Sequence, residues 1–386
     1  MRPFPAVMVG GPPHSGKSVL VYSLTQMLRA RKVEHYVLRA CPDGEGDFSQ
    51  EADQTTVRNL RHKGRFTAAY IERICKALDG RLLPLIVDVG GKPKPPQEVI
   101  FQRCTHAILI AASAEGLTEW RERAQRHGMT VIAELRSDLH GADAITSTSP
   151  LLIGTIAGLE RGTRAEGPMV NALCDALRRL FDYPDSDLRA LHRRAVPVAM
   201  VDMVELDRLH ATLGLSPHDG NWRAEQLPAL LNYLPAATPL AFYGRAPIWV
   251  YMAAMIHARP SPSHQFDPRL GWVTPTPVQL SRGSASRHFN WSLRLLPGGE
   301  TWLEITFARE HYLDYYELKR VRAPAHTEAG GLIISGRLPM WLLTGLALAY
   351  CTAAPWLAVY YPPSKVSVVV SSQSAAHPVG RIIPAP

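Results

Sequence analysis

The chain is poor in cysteine and lacks the patterns typical of a secreted or disulfide-bonded protein. Its five cysteines form no CxxC pair among 386 residues, and an odd count gives no disulfide framework. The N-terminal stretch MRPFPAVMVGG lacks the charged region and long apolar run of a signal peptide. These absences predict a reducing, cytoplasmic location.

Charged residues make up only 20% of the chain, and no long run of Lys or Arg occurs. The net charge of +8 favours anionic partners, and because the basic residues are scattered we expect small phosphorylated ligands rather than long nucleic acid. A hydrophobic fraction of 46% is typical of a globular protein, and 386 residues are enough for two or three domains.

One uncharged stretch, residues 338–361, is long enough to span a bilayer. Pro355 would break a helix there, and the matching earlier stretch carries His257 and Arg259. We therefore predict a buried helix followed by a buried strand, and no membrane partner.

The first 32 residues predict a phosphate-binding loop. A short apolar run turns through glycines in GGPPHSGKS and continues as a helix with apolar residues at helical spacing, which fits GxxxxGK[ST] in a strand–loop–helix context. Lys17 is expected to reach the β- and γ-phosphates of ATP, and the Ser18 hydroxyl to ligate Mg²⁺. The predicted nucleotide-binding residues of the loop are Gly11, His14, Ser15, Gly16, Lys17 and Ser18.

Further apolar runs alternate with helical patterns up to residue 182. A buried strand within 81–91 ends in Asp88, which is expected to orient the magnesium ion together with Ser18. This alternation predicts a doubly wound parallel sheet that resembles P-loop kinases. The other predicted strands lie within 34–40, 105–113, 129–135 and 152–159, and the helices within 67–79, 117–126 and 167–181.

The stretch after the second strand, RACPDGEGDFSQEAD, is the most acidic of this half. Asp43 and Glu45 are candidates for activating an acceptor hydroxyl or water, although an Asp-Gly turn with solvated acids explains them equally well. The basic stretch at 58–66 predicts a lid whose Arg61 and Arg65 contact phosphates, or else a solvated helix end.

The C-terminal half contains one short motif twice, and we call this motif the repeated phrase. GRAPIW begins at Gly244 and GRLPMW begins at Gly336, 92 positions later. Each follows a strand-like run, opens an apolar helix and leads to another strand, with Pro placed near the helix start. A strand precedes the first copy within 198–206, and a hairpin with a Pro-Gly-Gly turn precedes the second within 291–310. The repeat predicts two small α+β domains in tandem.

With GLIISGRLPMWL…AVYYP and GRAPIWVY…FDPRLG, residues 196–386 resemble a small CRISPR-associated ring-nuclease family, the third of type III systems, which binds and cleaves cyclic tetra-adenylate. Members of that family are also fused to AAA-type P-loop domains. The resemblance implies symmetric oligomers that hold the cyclic nucleotide between subunits, so we expect a homodimer or a higher homo-oligomer. It also implies that Arg245 and Arg337 face phosphates or bases, with Ser335 beside the second, and that Trp249 and Trp341 pack internally.

The copies depart from the family pattern in different ways. Copy one keeps Asp267 and Arg269 of the active-site motif, whereas copy two reads Tyr-Pro-Pro at 361–363. The family places a histidine at the helix end, where this chain has Arg259 and Cys351. The residues for cleavage are therefore split between the copies, or the activity is lost. We expect a sensor of cyclic oligonucleotide and a nuclease equally.

The predicted organisation is a P-loop domain (1–182), a linker (183–197) and two ring-nuclease-like domains (198–283 and 284–386). Three functions fit: an ATPase or phosphotransferase coupled to cyclic oligoadenylate binding, an ATP-gated ring nuclease, or a small-molecule kinase with a C-terminal oligomerisation module. In the last case Gly-Arg-x-Pro-x-Trp is a structural turn. Exposure of Arg245 and Arg337 on one concave face would favour ligand sites, and pairing of these arginines with buried carboxylates would favour the turn.

Overall fold

A computed structural model describes residues 4–41, 67–198, 201–215, 222–283, 285–286, 288–308, 313 and 315–384. The chain divides into two compact units. The first comprises Met1–His192 and Pro268–Gly271, and the second Arg193–Asp267 and Trp272–Pro386. Both repeated phrases therefore belong to one unit.

The first unit is built on a seven-stranded sheet in the order β2-β3-β1-β4-β5-β7-β6. Strands β1 to β5 and β7 are parallel, whereas β6 pairs with β7 in the antiparallel direction. The strands are β1 (Ala6–Gly10), β2 (Tyr36–Arg39), β3 (Leu85–Asp88), β4 (His106–Ala111), β5 (Thr130–Asp138), β6 (Ala144–Ser147) and β7 (Leu152–Ala157). The helices are α1 (Lys17–Ala30), α2 (Ala68–Asp79), α3 (Ala114–Arg126), α4 (Pro168–Leu180) and α5 (Asp185–Arg194), with 3₁₀ turns at Pro95–Gln97 and Phe101–Arg103.

Alternate residues of the central strands enter two apolar clusters, one on each face of the sheet. Val7 and Val9 pack with α1 and α4, whereas Ala6 and Met8 pack with α2 and α3. Strands that are buried on both faces read as continuous apolar runs, which is why the sequence indicates them so clearly. The predicted parallel α/β sheet is thus confirmed, and most of the predicted linker forms α5.

The second unit contains a four-stranded sheet, β11-β10-β9-β8, and a six-stranded sheet, β13-β14-β16-β17-β18-β19, together with a two-stranded pair, β12 and β15. The strands are β8 (Asp202–Glu205), β9 (Leu240–Tyr243), β10 (His264–Asp267), β11 (Gly271–Val273), β12 (Gln279–Ser281), β13 (Phe289–Leu295), β14 (Thr301–Phe307), β15 (Arg322–Pro324), β16 (Leu332–Gly336), β17 (Trp356–Tyr361), β18 (Val366–Ser372) and β19 (Ile382–Pro384). The helices are α6 (Leu209–Thr212), α7 (Leu227–Tyr233), α8 (Ile248–His257) and α9 (Met340–Tyr350), with 3₁₀ turns at Ala224–Gln226, Tyr315–Arg320 and Pro362–Ser364.

The two larger sheets of this unit share a core of three parallel strands. β9 lies between parallel neighbours β8 and β10, and β16 lies between parallel neighbours β14 and β17. In each copy the central strand leads through Gly-Arg into a helix, α8 or α9, whose preceding residue is a proline in an extended conformation. The predicted antiparallel hairpin is formed by β13 and β14.

The two copies pack on each other through α8 and α9. Thr344 Oγ1 of α9 donates a hydrogen bond of 2.8 Å to Gln265 Oε1 of β10, and both residues are 0% exposed. Arg259 Nη1 donates to Cys351 Sγ, and these residues are 92 positions apart and thus equivalent in the repeat. A residue that touches its own equivalent lies beside the axis that relates the two copies, so the copies form a pseudo-twofold pair.

Helix α9 is apolar on all sides because it is enclosed by protein; each of its residues 341–350 is buried. None of the helices in the described residues is long and apolar enough to cross a bilayer.

Candidate functional site

The loop between β1 and α1 wraps around the amine of Lys17. Lys17 is buried, and its Nζ donates to the carbonyl oxygens of Gly11 at 2.9 Å and Pro12 at 2.7 Å. The Ser15 hydroxyl donates to the same Pro12 oxygen at 2.9 Å. The loop therefore holds a positive charge at its centre.

One position of this loop requires glycine, and its backbone takes positive φ at two others. A Cβ at Gly11 would lie 1.9 Å from the Ile110 oxygen, so only glycine fits. His14 and Gly16 both have positive φ, 63° and 83°, around Ser15. Alternation of this kind turns successive N–H groups into one concave surface, which attracts anions.

Helix α1 adds the partial positive charge of its N-terminus. It begins at Lys17, and residues 17–20 carry no acidic side chain to oppose a phosphate. One short segment, whose charge and helix dipole favour an anion, carries the predicted nucleotide-binding residues Gly11, His14, Ser15, Gly16, Lys17 and Ser18.

The two residues predicted to hold Mg²⁺, Ser18 and Asp88, are hydrogen-bonded to each other. Ser18 Oγ donates to Asp88 Oδ2 at 3.2 Å, because β3 is the parallel neighbour of β1 and places Asp88 opposite Val9. Asp88 is 6% exposed. A hydroxyl beside a buried carboxylate is an oxygen donor set of the kind that Mg²⁺ prefers when phosphate oxygens complete its coordination. The residues present therefore fit Mg²⁺ bound with a nucleotide.

Arg39, at the end of β2, also reaches this carboxylate. Its Nη1 donates to Asp88 Oδ2 at 2.9 Å, and the two residues are direct partners across β2 and β3. Arg39 was not predicted as a site residue from the sequence. Its contact with Asp88 depends on β3 being the neighbour of β2, and the sequence around Arg39 does not indicate which strand lies there. The predicted acceptor-side residues Asp43, Glu45, Arg61 and Arg65 fall within 42–66, outside the described residues.

The repeated phrase places an exposed arginine at the carboxyl end of each central strand. Arg245 follows β9 and Arg337 follows β16, and both are exposed. Arg337 forms no ion pair with any other residue in the described ranges. Exposure is one property expected of ligand-facing arginines, and the ligand role of both stays a prediction. Trp249 and Trp341 are buried, in agreement with a packing role.

The glycine before Arg245 is fixed by its surroundings. Gly244 has a φ of 95°, and a Cβ there would lie 2.1 Å from Asp207 Oδ1. Tyr251 Oη donates to its carbonyl oxygen at 2.6 Å. The backbone that presents Arg245 is thus held from both sides.

Strand neighbours differ between the copies at equivalent positions. Glu205 pairs in register with Tyr243 in copy one, and Glu304 pairs with Ser335 in copy two. Glu205 forms ion pairs with Arg193 and Arg208. Glu304 instead accepts a hydrogen bond of 2.9 Å from the indole of Trp302. Ser335 is 4% exposed, so little of its surface is available to the ligand predicted beside it.

The residues predicted for cleavage in copy one, and the matching residues of copy two, lie at or just after the ends of the strands next to β9 and β16. Asp267 is the last residue of β10, the neighbour of the strand that leads to Arg245, and Arg269 follows in the segment Pro268–Gly271 that belongs to the first unit. In copy two, Tyr361 ends β17 and Pro362–Ser364 forms a 3₁₀ turn.

The candidate histidines near the helix ends contact other residues of the chain. His257 Nε2 donates to the Leu234 oxygen at 3.0 Å. His264 Nδ1 contacts Thr274 Oγ1 at 2.7 Å, and burial lowers the pKa of its imidazole. The helix-end positions Arg259 and Cys351 contact each other, as described above, so they serve the packing of the copies.

The fold and site define an α/β chain with a glycine-rich loop at a helix N-terminus and a C-terminal pair of related α+β repeats. Residues 306–384 match the family model of the CRISPR-associated protein Cas_csx3. The matched range covers β16, α9, β17, β18 and β19 of copy two. No curated protein matches the chain significantly. The C-terminal region is therefore CRISPR-associated, while ring-nuclease activity and an AAA-type domain stay predictions.

Proposed function

We propose that the chain is an ATP-binding P-loop enzyme, an ATPase or phosphotransferase, coupled to the binding of cyclic oligoadenylate in type III CRISPR antiviral signalling. The observation that carries this proposal is the pair of exposed arginines at equivalent strand ends, one of them inside the CRISPR-associated match. Cyclic tetra-adenylate is the ligand that the family resemblance implies.

The nucleotide site rests on Lys17, Ser18 and Asp88. Lys17 and the backbone N–H groups of the loop would bind the phosphates, and Ser18 with Asp88 would hold Mg²⁺. The metal, when bound, neutralises charge that develops on the transferring phosphoryl group. Whether water or another acceptor takes the phosphate depends on groups such as Asp43 and Glu45.

The adenylate site rests on symmetry and charge. A cyclic oligoadenylate contains the same phosphodiester several times. The two pseudo-twofold-related copies likewise carry an arginine at equivalent positions. Arg245 and Arg337 can each form charge-assisted contacts with a phosphate. A dimer of chains would present four such arginines, which is the assembly that we expect.

A ring nuclease whose ATPase gates the ligand is the second candidate. It is favoured by the position of Asp267, which ends β10 directly beside the strand that presents Arg245. Asp267 would position a ribose hydroxyl or a proton, and Arg269 would stabilise charge on the phosphate.

The nucleotide half is tested by replacing Lys17 with alanine. Loss of the ammonium removes stabilisation of the phosphoryl group, so ATP turnover should fall by about 100-fold or more while the melting temperature stays close to that of the wild type. Lys76→Ala is the matched control, since Lys76 is exposed on α2 and pairs with Glu72. Turnover at the unaltered rate in Lys17→Ala would remove this half of the proposal.

A further inference from the structure

A single carboxylate oxygen is shared by two donors beside the P-loop. Asp88 Oδ2 accepts from Ser18 Oγ at 3.2 Å and from Arg39 Nη1 at 2.9 Å. A Mg²⁺ ion held by Ser18 and Asp88 would lie close to this oxygen, because the Ser18 hydroxyl contacts it. Because two cations beside one oxygen repel each other, the metal and the guanidinium compete for it.

The backbone of Arg39 is anchored, whereas its side chain reaches the surface of the site. The Arg39 carbonyl oxygen accepts from Tyr70 Oη at 3.0 Å, and the next residue donates its N–H to the Asp88 carbonyl at 2.8 Å. The Arg39 side chain keeps 20% of its surface exposed. It can therefore change partners without any change in the sheet.

We propose that Arg39 recognises the terminal phosphate of a nucleoside triphosphate: it neutralises Asp88 when no metal–nucleotide is bound, and turns to the γ-phosphate when Mg²⁺ takes its place at Asp88. A planar guanidinium suits this task, because it binds carboxylate and phosphate oxygens with the same pair of N–H groups. Arg39 then distinguishes a triphosphate from a diphosphate. This inference rests on the proposed nucleotide site.

A purely structural role for Arg39 makes a different prediction. If the guanidinium only orients Asp88, its loss weakens the metal site in the same way for every nucleotide. If it only blocks the metal site, its loss tightens the binding of every nucleotide. A contact with the terminal phosphate alone changes the ratio between triphosphate and diphosphate.

The test measures dissociation constants by calorimetry for a non-hydrolysable ATP analogue and for ADP, both with Mg²⁺. Arg39→Gln should weaken binding of the ATP analogue on the order of tenfold, the size of one charge-assisted contact, and change ADP binding less than about twofold. Arg73→Gln is the matched control, because Arg73 lies on α2 and stacks on the Tyr70 ring. Equal weakening of both nucleotides by Arg39→Gln, or no change in either, would overturn the inference.

Arg39→Lys covers the case in which Arg39→Gln folds poorly. Lysine keeps a cation next to the buried Asp88 carboxylate but loses the planar fork, so the preference for the ATP analogue over ADP should fall part of the way. An unchanged preference in a well-folded Arg39→Lys protein would count against the inference.

Lys17→Ala separates this inference from the proposed function. If the wild type binds neither nucleotide, or if Lys17→Ala binds both as the wild type does, the nucleotide site itself is wrong and the role of Arg39 with it. If binding depends on Lys17 but Arg39→Gln keeps the wild-type ratio, only the role of Arg39 is wrong.

Discussion

The hydrogen bond between Thr344 and Gln265 makes the packing of the two repeats measurable. Thr344→Val keeps the shape of the side chain and removes the hydroxyl that donates to Gln265 Oε1. Both groups are fully buried, so the amide oxygen of Gln265 loses its protein partner without gaining water. The cost of such an orphaned acceptor is about 1–3 kcal/mol of unfolding free energy. In a unit of this size that corresponds to a fall in melting temperature of roughly 2–4 °C per kcal/mol.

Tryptophan fluorescence of the full chain during urea unfolding is a suitable assay. Of the eight tryptophans, only Trp120 belongs to the first unit, so the signal reports mainly on the second. Thr301→Val is the matched control. The Thr301 hydroxyl is buried and has no hydrogen-bond partner in the described part of the chain, so its removal should cost little or stabilise the fold.

A double-mutant cycle completes this test. Gln265→Leu in the Thr344→Val background removes the orphaned amide and should recover most of the lost stability, which gives a coupling energy of about 1 kcal/mol or more. Equal effects of Thr344→Val and Thr301→Val, with no coupling in the cycle, would refute the packing of the repeats through this pair.

Two further predictions follow from buried titratable groups. Burial raises the pKa of the Cys104 thiol to about 12 and also raises the pKa of the other buried thiols. Ellman's reagent at pH 8 should therefore label one thiol quickly in the native protein, the partly buried Cys41, and all five after denaturation; rapid labelling of three or more would contradict this. Burial lowers the pKa of His192, whose Nε2 donates to the Leu82 oxygen at 2.6 Å. Because the unfolded chain then binds the proton more readily, the unfolding free energy should fall as pH drops through about 6.5, and His192→Gln should show a shallower fall in calorimetry between pH 7.5 and 5.5; parallel curves for the two proteins would contradict it.

The first unit shows where sequence patterns suffice. Buried parallel strands read as apolar runs, and the GKS signature lies within one local segment, so both could be predicted. β6 escaped prediction, because Ala144, Ile145 and Thr146 are exposed and give no apolar run. The contact between Arg39 and Asp88 depends on which strands are neighbours, a property of the whole sheet that no local pattern contains.

The second unit shows what a repeated phrase cannot predict. The phrase indicated two copies and the helix that follows each Gly-Arg, but not that α8 and α9 pack together. Glu205 and Glu304 were missed, because the segments that join them to the repeated phrase differ in length and in structure. The two glutamates are seen to be equivalent only because Glu205 pairs with Tyr243 and Glu304 pairs with Ser335 on the neighbouring strands.

Binding of labelled cyclic tetra-adenylate, with and without ATP and Mg²⁺ and with identification of any product, tests the central claim most directly. Arg245→Ala and Arg337→Ala should each weaken binding by about 1.5–3 kcal/mol, roughly ten- to a hundredfold, because each removes one charge-assisted contact. Asp267→Ala should alter product formation more than binding, and Arg322→Ala, at an exposed arginine outside the repeated phrase, should change neither. Failure of the wild type to bind the ligand, or wild-type affinity in both arginine variants, would contradict the account.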